Sequence, residues 1–340
     1  MAKKLRLGFV LDPPEKIKCL EDTSFYIMKE AYERGHEIFY LDSRHIYAQG
    51  RDVLARAGKV SVDFQDGFKE IEVLERLDLA SLDLLFIRKD PPFDSHYLYL
   101  TYLLELLKDK TVMLNDPAGI RNANEKLYIL NFPDWIPETC VSSTLPVLRG
   151  FVKDMGDAVL KPLNERGGIG IVRARRDDAD LDKIISGMLS QYGTVMAQKF
   201  LPQVQDQGDT RVLVLNGEIL GAYARIPPRG DFRVSVLRDG RYEKRVPGDR
   251  EREIVRHVAP RLLADGLLFV GLDLIGGLIS EINVTSPAGI PEINHFAGPN
   301  PLIPARSPGL EGPVFAGERL EIKVVDFLEQ IALSGRLRLA

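Results

Sequence analysis

Residues 269–287, FVGLDLIGGLISEINVTSP, set acids and an amide among apolar side chains on both sides of a Gly-Gly pair. Strand side chains alternate faces with period 2, so Glu281 and Asn283 project from the same side. Two hairpin loops are open. A two-residue Gly276-Gly277 turn would place Asp273 opposite Ser280 and away from Glu281, mixing polar and apolar groups on each face. A three-residue loop, Gly276-Gly277-Leu278, would pair Asp273 with Glu281 and gather Asp273, Glu281 and Asn283 on one face, leaving Leu272, Leu274, Ile282 and Val284 on the other. Only the second separates polar from apolar. Facing carboxylates repel unless a cation lies between them, and hard oxygen donors favour Mg2+.

Working outward, the 340 residues have ordinary globular composition, 45% hydrophobic and 28% charged. A net charge of -4 provides no basic field for nucleic acid or an anionic membrane. The opening MAKKLRLGFVLDPP breaks its apolar run at Arg6 and ends it at DPP, which reads as a first strand of a cytoplasmic protein. Cys19 and Cys140 lie far apart, and the five His form no close pair, so a disulfide framework, zinc site or His-based nucleophile has no support. LRLGFVL, HEIFYL, LDLLFIRKD and TVMLND read as strands, with helices over residues 22–34 and YLYLTYLLELL, giving a doubly wound, largely parallel α/β unit ending near residue 121. From NEKLYIL onward shorter strands and glycine turns predict α+β structure. HFAGPNPLIPARSPGLEGPVFAGE reads as a long surface connection before a final helix, RLEIKVVDFLEQIAL.

Four further stretches carry chemistry. NEKLY contributes Lys126, and AVLKPLNERGGIGIV sets Lys161 before a loop containing Gly167, Gly168 and Gly170. Glycines let backbone N–H groups approach phosphate, although no GK[ST] follows and this is not a Walker loop. MAQKFLP offers backbone groups to a purine edge, with Phe200 and Leu201 as pocket wall. Asp209 and Arg211 share one strand, and Arg225 follows on the next; arginines there balance phosphate or pair with acids.

In this order the elements resemble the ATP-grasp fold. IRKDPPFD, NEKLY, LKPL, MAQKFLP, RVLVLNGE, ARIP and FVGLDLIGGLISEINVTSP are similar to successive blocks of the bacterial glutathione synthetase family over roughly the first 290 residues. The resemblance implies an α/β protein with an N-terminal doubly wound pre-ATP-grasp domain (1–121), a lid subdomain with the glycine-rich loop (122–201) and a catalytic, metal-binding subdomain with a C-terminal extension (202–340). It further implies ligation of γ-glutamylcysteine to glycine through an acyl phosphate, with ATP and Mg2+, or Mn2+, as cofactors. Partners would be those small molecules, with no nucleic acid and no membrane, in a homo-oligomer, a tetramer by resemblance.

By matching positions, Lys126 and Lys161 hold ATP phosphates under Gly167 and Gly168, while Gln198, Lys199, Phe200, Leu201 and Asp209 hold adenosine. Asp273, Glu281 and Asn283 bind metal, Arg211 and Arg225 stabilise the transferred phosphoryl group, and Arg88, Asn283 and Ser286 seat the peptide. The chain departs from the pattern at Glu165, an anion where the loop has glycine. It departs again in the lid, where GDFRVSVLRDG replaces a GExRGNLAAGG-like stretch, and in the Pro/Gly-rich segment 294–317. Bulky Val234, Val236 and Leu237 suggest an ordered lid over Pro227–Arg241, a β-hairpin with VSVL and RYEKR as arms. Other readings are a ligase using a different amine or γ-glutamyl peptide, and a nucleotide-binding protein without turnover.

Overall fold

The computed structural model describes residues 3–64, 67–233, 241–297 and 319–335. The opening apolar run forms β1 (Arg6–Leu11), followed by α1 (Thr23–Glu33), whose N-terminus is capped when Asp22 Oδ1 accepts from Phe25 N at 2.9 Å. Then come β2 (Glu37–Asp42), β3 (Ile46–Gln49), β4 (Asp52–Asp63), β5 (Gly67–Asp78), β6 (Leu84–Ile87), α2 (Ser95–Glu105), β7 (Val112–Leu114) and α3 (Pro117–Asn122). The sheet runs β3-β4-β2-β1-β6-β7, with β5 paired to β4. Alternating strand residues serve opposite faces: Val10, Leu41 and Leu85 share a core with Tyr97 and Leu100 of α2, whereas Phe9, Ile38 and Phe86 share one with Phe25 and Ile27 of α1.

The expected parallel sheet holds only for β2-β1-β6-β7. The remaining strands are antiparallel, because β4 and β5 form a long hairpin over residues 52–78 that needs no crossover helix and to which the sequence reading gave no element.

A second layer contains β8 (Thr139–Ser142), α4 (Leu145–Met155), β9 (Asp157–Pro162), β10 (Val172–Arg175), α5 (Leu181–Tyr192) and β11 (Val195–Lys199). Its sheet, β10-β9-β11-β8, packs Leu160, Val195 and Ala197 against Leu148, Val152 and Ile185 of the two helices. The third unit holds α6 (Gln203–Gln207), β12 (Asp209–Leu215), β13 (Glu218–Ile226), β14 (Arg241–Lys244), α7 (Asp249–Ala264), β15 (Phe269–Ile275), β16 (Leu278–Asn283), α8 (Ile290–Ala297) and α9 (Leu320–Ser334), with sheet order β14-β13-β12-β15-β16.

The β15–β16 hairpin combines features of both readings. Ile275 pairs with Leu278, so the turn is the two-residue Gly276-Gly277 loop, and both glycines take positive φ (57° and 77°) as a type I′ turn requires. The three-residue loop is therefore wrong. Asp273 nevertheless faces Glu281, because a bulge between Asp273 and Leu274 makes Ser280 an extra residue and restores the acid pair.

RYEK of the expected arm forms β14, and among the described residues its partner is Tyr223–Ile226 of β13; VSVL, at 234–237, lies outside them. The Pro/Gly-rich connection begins later than expected, since Asn294–Ala297 belong to α8, and 298–318 lie outside the described residues.

Polar clamps dock the first unit on the third. Asn115 is buried and makes four hydrogen bonds: Nδ2 donates to Phe269 O (2.8 Å) and Val284 O (2.9 Å), and Oδ1 accepts from Leu268 N and Phe269 N (both 2.8 Å). Thr23 Oγ1 accepts from Gly289 N at 3.1 Å and Ile290 N at 3.2 Å. Helix α9 turns back to the start of the chain, where Val324, Val325 and Leu328 join the core of Phe25 and Ile27.

Candidate active site

Between the second and third units lies a cleft. Thirteen of the residues singled out in the sequence line it: Lys161, Gly167, Gly168, Gln198–Leu201, Asp209, Arg211, Arg225, Asp273, Glu281 and Asn283. The loop between β9 and β10 forms its roof. Gly167, Gly168 and Gly170 have φ of 61°, 76° and 71°, a region side chains rarely adopt, and a Cβ on Gly170 would lie 2.5 Å from Tyr192 Oη.

The floor is one face of the third sheet. Cross-strand register aligns Glu281 with Asp273, Asp273 with Arg211, and Asp209 with Arg225. Arg211 forks onto Asp273, with its Nε bonded to Oδ1 and its Nη2 2.9 Å from Oδ2. Arg225 holds both oxygens of Asp209 at 2.6 and 2.7 Å and also reaches Asp273 Oδ2 at 2.8 Å. Burial works against the charge on Asp273, but Arg211 and Arg225 outweigh it and hold the carboxyl well below the usual carboxylate range. A fully paired buried network of this kind is costly to break from one side.

Asn283 donates from Nδ2 to Asp273 Oδ2 (3.1 Å) and Gly271 O (3.3 Å), which turns its carbonyl oxygen away from them. Together with Glu281 this gives hard oxygen donors that suit Mg2+. Among the described residues no group of three His, Cys, Asp or Glu forms a metal cluster by itself, so a cation here would also need the amide and ligand oxygens.

Two lysines lie near Glu281. Lys126 Nζ bonds Glu281 Oε1 (3.2 Å) and Glu165 O (2.6 Å), outside the cleft lining. Lys161 Nζ bonds Gln198 Oε1 at 2.7 Å and Ser280 O at 3.4 Å. Burial, with Lys126 adding repulsion, lowers Lys161 to about 8.

Several predicted contacts are already engaged within the protein. Gln198 also donates to Thr139 Oγ1 (3.1 Å), Lys199 Nζ pairs with Glu138 (2.8 Å), and the N–H groups of Lys199 and Phe200 bond Glu138 O (2.9 Å) and Asp157 O (3.0 Å). The carboxylate of Asp209 is taken by Arg225. The apolar wall is clearer: Phe200 packs with Val159 and Val204, and Phe232 meets its ring edge-on at 5.8 Å.

Glu165 does not line the cleft, whereas its neighbour Arg166 does, and Arg166 also pairs with Asp90 of the first unit. Arg88 and Ser286 are outside the cleft lining too. Arg88 is buried, donates to Ser24 Oγ and Pro287 O (both 3.0 Å), and leaves Nη1 without a partner; burial lowers its pKa. Ser286 is half-buried and directly precedes Pro287.

The sequence reading passed over Glu125. Its carbonyl accepts from Ile282 N (2.9 Å), and its Oε1 accepts from Val284 N (3.0 Å), Thr285 N (3.1 Å) and Thr285 Oγ1 (2.8 Å). The only signal was its place next to Lys126 in NEKLY. It also passed over Arg166, Phe232 and Glu292.

Comparison with known proteins bears on the whole arrangement. The model for the prokaryotic glutathione synthetase N-terminal domain matches residues 5–121, and that for the family's ATP-grasp domain matches 125–298. Glutathione synthetase of Yersinia pestis is 41% identical over 293 residues, covering 85% of this chain and 92% of that protein. The enzyme of Pseudomonas syringae pv. tomato is 41% identical over 302 residues, covering 87% and 94%. Among solved structures, D-alanyl-alanine synthetase A from Vibrio cholerae aligns with a TM-score of 0.56 at 12% identity over 98% of this chain and 100% of its own. A Chryseobacterium gregarium ATP-grasp ligase aligns with a TM-score of 0.60 at 12% identity, covering 98% of each chain, which supports the ATP-grasp fold. With both domain models laid end to end over its length, the chain belongs to the prokaryotic glutathione synthetase family.

Proposed function

We propose that the charged face of the third sheet carries out ATP-dependent glutathione synthesis, in which the cysteinyl carboxylate of γ-glutamylcysteine is phosphorylated and the amine of glycine then displaces phosphate. The observation that carries this is the alignment of Glu281, Asp273 and Arg211 across adjacent strands, with Arg225 reaching Asp273, under the glycine loop and Lys161. In phosphoryl transfer the protein's work is positioning and charge neutralisation, and this face offers both.

Lys161 and Lys126 meet phosphate oxygens, and the N–H groups of Gly167 and Gly168 cover them. Adenosine lies on the Phe200 wall, reading the linker through backbone groups other than the N–H groups already bonded. Asp209 serves as the counter-ion that aims Arg225. Arg211 and Arg225 stabilise charge on the phosphoryl and acyl phosphate groups. Arg88, Asn283 and Ser286 seat the dipeptide, with Arg88 Nη1 free to meet a carboxylate. Glu281, Asn283 and Asp273 would hold the divalent cation, Mg2+ or Mn2+, which supplies charge neutralisation at the phosphates. The three domain spans, 1–121, 122–201 and 202–340, belong to this proposal, as do a cytoplasmic location and the homo-oligomeric state implied by resemblance.

The purified chain with ATP, Mg2+ and γ-glutamylcysteine should release phosphate when glycine is added, with glutathione identified by mass spectrometry. Nucleotide binding without a peptide product would overturn the reading.

A further inference from the structure

The charged face does not end at the arginines. Beyond Arg211 and Arg225 it continues into Tyr223 of β13 and Tyr242 of β14, which stand opposite Arg211 and Arg225 in the register. The two rings meet edge-on at 5.3 Å. Metal donors and lysines occupy the β16 end of the row, so the tyrosine end is the side of the arginines away from the phosphates.

Helix α8 lies over that end. Phe296 and Ile293 pack on Tyr223 and Tyr242, and Gly289 lies so close that a Cβ would be 2.9 Å from Tyr223 Cε1. The same helix carries Glu292, whose Oε2 is covered and has no hydrogen-bond partner. Charged neighbours are Arg211 and Arg225 of the sheet and Glu21 ahead of α1, and the nearby phenols are Tyr26, Tyr223 and Tyr242. Burial raises Glu292 to about 7 in spite of a hydrogen bond from its own backbone N–H and of the two arginines. A covered carboxylate oxygen without a hydrogen-bond partner is expensive, and its persistence beside a reactive face calls for a use.

The reaction requires one. An amino acid arrives as an ammonium ion, which has no lone pair for attack, and two nearby guanidinium groups favour its neutral form. We propose that Glu292 is the base that takes the first proton from the incoming amine. The carboxylate accepts that proton, the freed nitrogen lone pair forms the C–N bond to the acyl carbon, and the C–O bond to phosphate breaks with its electron pair. The second amine proton leaves on the departing phosphate, giving the amide and hydrogen phosphate. A base whose pKa lies near the working pH is suited to this step.

The inference rests on the glutathione-forming reading, and hydroxylamine separates the two. Hydroxylamine is uncharged at neutral pH and traps an acyl phosphate without needing a base. Wild type should form hydroxamate from γ-glutamylcysteine and ATP; failure to do so would overturn the functional reading instead. In Glu292→Gln the glycine rate should fall about 100-fold, the hydroxylamine rate should stay close to wild type, and the glycine rate should recover as pH rises. Parallel loss with both acceptors, or an unchanged glycine rate, would overturn the role of Glu292. Should that variant not fold, the wild-type pH profiles serve: the limb near pH 7 should appear with glycine and be missing with hydroxylamine, and profiles of the same shape would refute the inference.

Discussion

Lys161 is cationic only below about 8, because burial removes its water while its direct partners, Gln198 and a carbonyl, are neutral. ATP brings the missing negative charge and stabilises the ammonium form. Binding near pH 8–9 should therefore take up protons, and affinity should decline as pH rises through about 8. Calorimetry in buffers of different ionisation enthalpy reads the uptake, and an enthalpy independent of buffer would refute it. Glu281 acts on the other side of the same charge balance. Glu281→Gln should keep the fold but lose the carboxylate that pairs with Lys126 and that we propose as a ligand of the cation, a loss of several kcal/mol of charge stabilisation. Turnover at low Mg2+ should drop by orders of magnitude; a near-normal rate would remove Glu281 from the ligand set.

At the scale of elements, β16 is a strand held in place from outside its own sheet. Glu125 bonds the backbone on both sides of Asn283, so it sets where the strand carrying Glu281 and Asn283 ends. Glu125→Ala leaves two buried N–H groups and a hydroxyl without their acceptor, and should cost roughly 2–3 kcal/mol in urea unfolding and weaken Mg2+ binding to the ADP complex. Glu125→Gln keeps an acceptor oxygen and should lose much less; equal losses would show that the carboxylate charge, not the clamp, matters. This strand also marks how far the sequence could be read. Period-2 alternation identified the acid pair, because separating polar from apolar faces is a strong constraint. It misassigned the loop, because a bulge at Ser280 changes the register without leaving any compositional trace. Charge patterns found Arg211 and Arg225, yet their pairing with Asp209 and Asp273 depends on strand order, which no local stretch contains. Glu125 and Glu292 gain their roles only from partners distant in sequence, and in isolation each reads as an ordinary surface acid.

Across the whole molecule, the first and third units are joined by a few saturated polar contacts set in apolar surroundings. Asn115→Ala would orphan both carbonyl and N–H groups of Phe269 together with the N–H of Leu268 and the carbonyl of Val284. We expect a loss of roughly 3 kcal/mol or more and faster hydrogen exchange at residues 268, 269 and 284; unchanged exchange there would show that the joint does not depend on this side chain. Helix α9 adds a second link. Its Val324, Val325 and Leu328 complete the apolar layer around Phe25 and Ile27, and Arg34 and His36 tie to Asp326 and Glu329 at 2.6 and 2.8 Å. During synthesis on the ribosome β1 and β2 emerge well before α9, the helix that seals one face of their sheet. The nascent sheet must therefore carry an open greasy flank until α9 has been made, available to chaperones in the meantime.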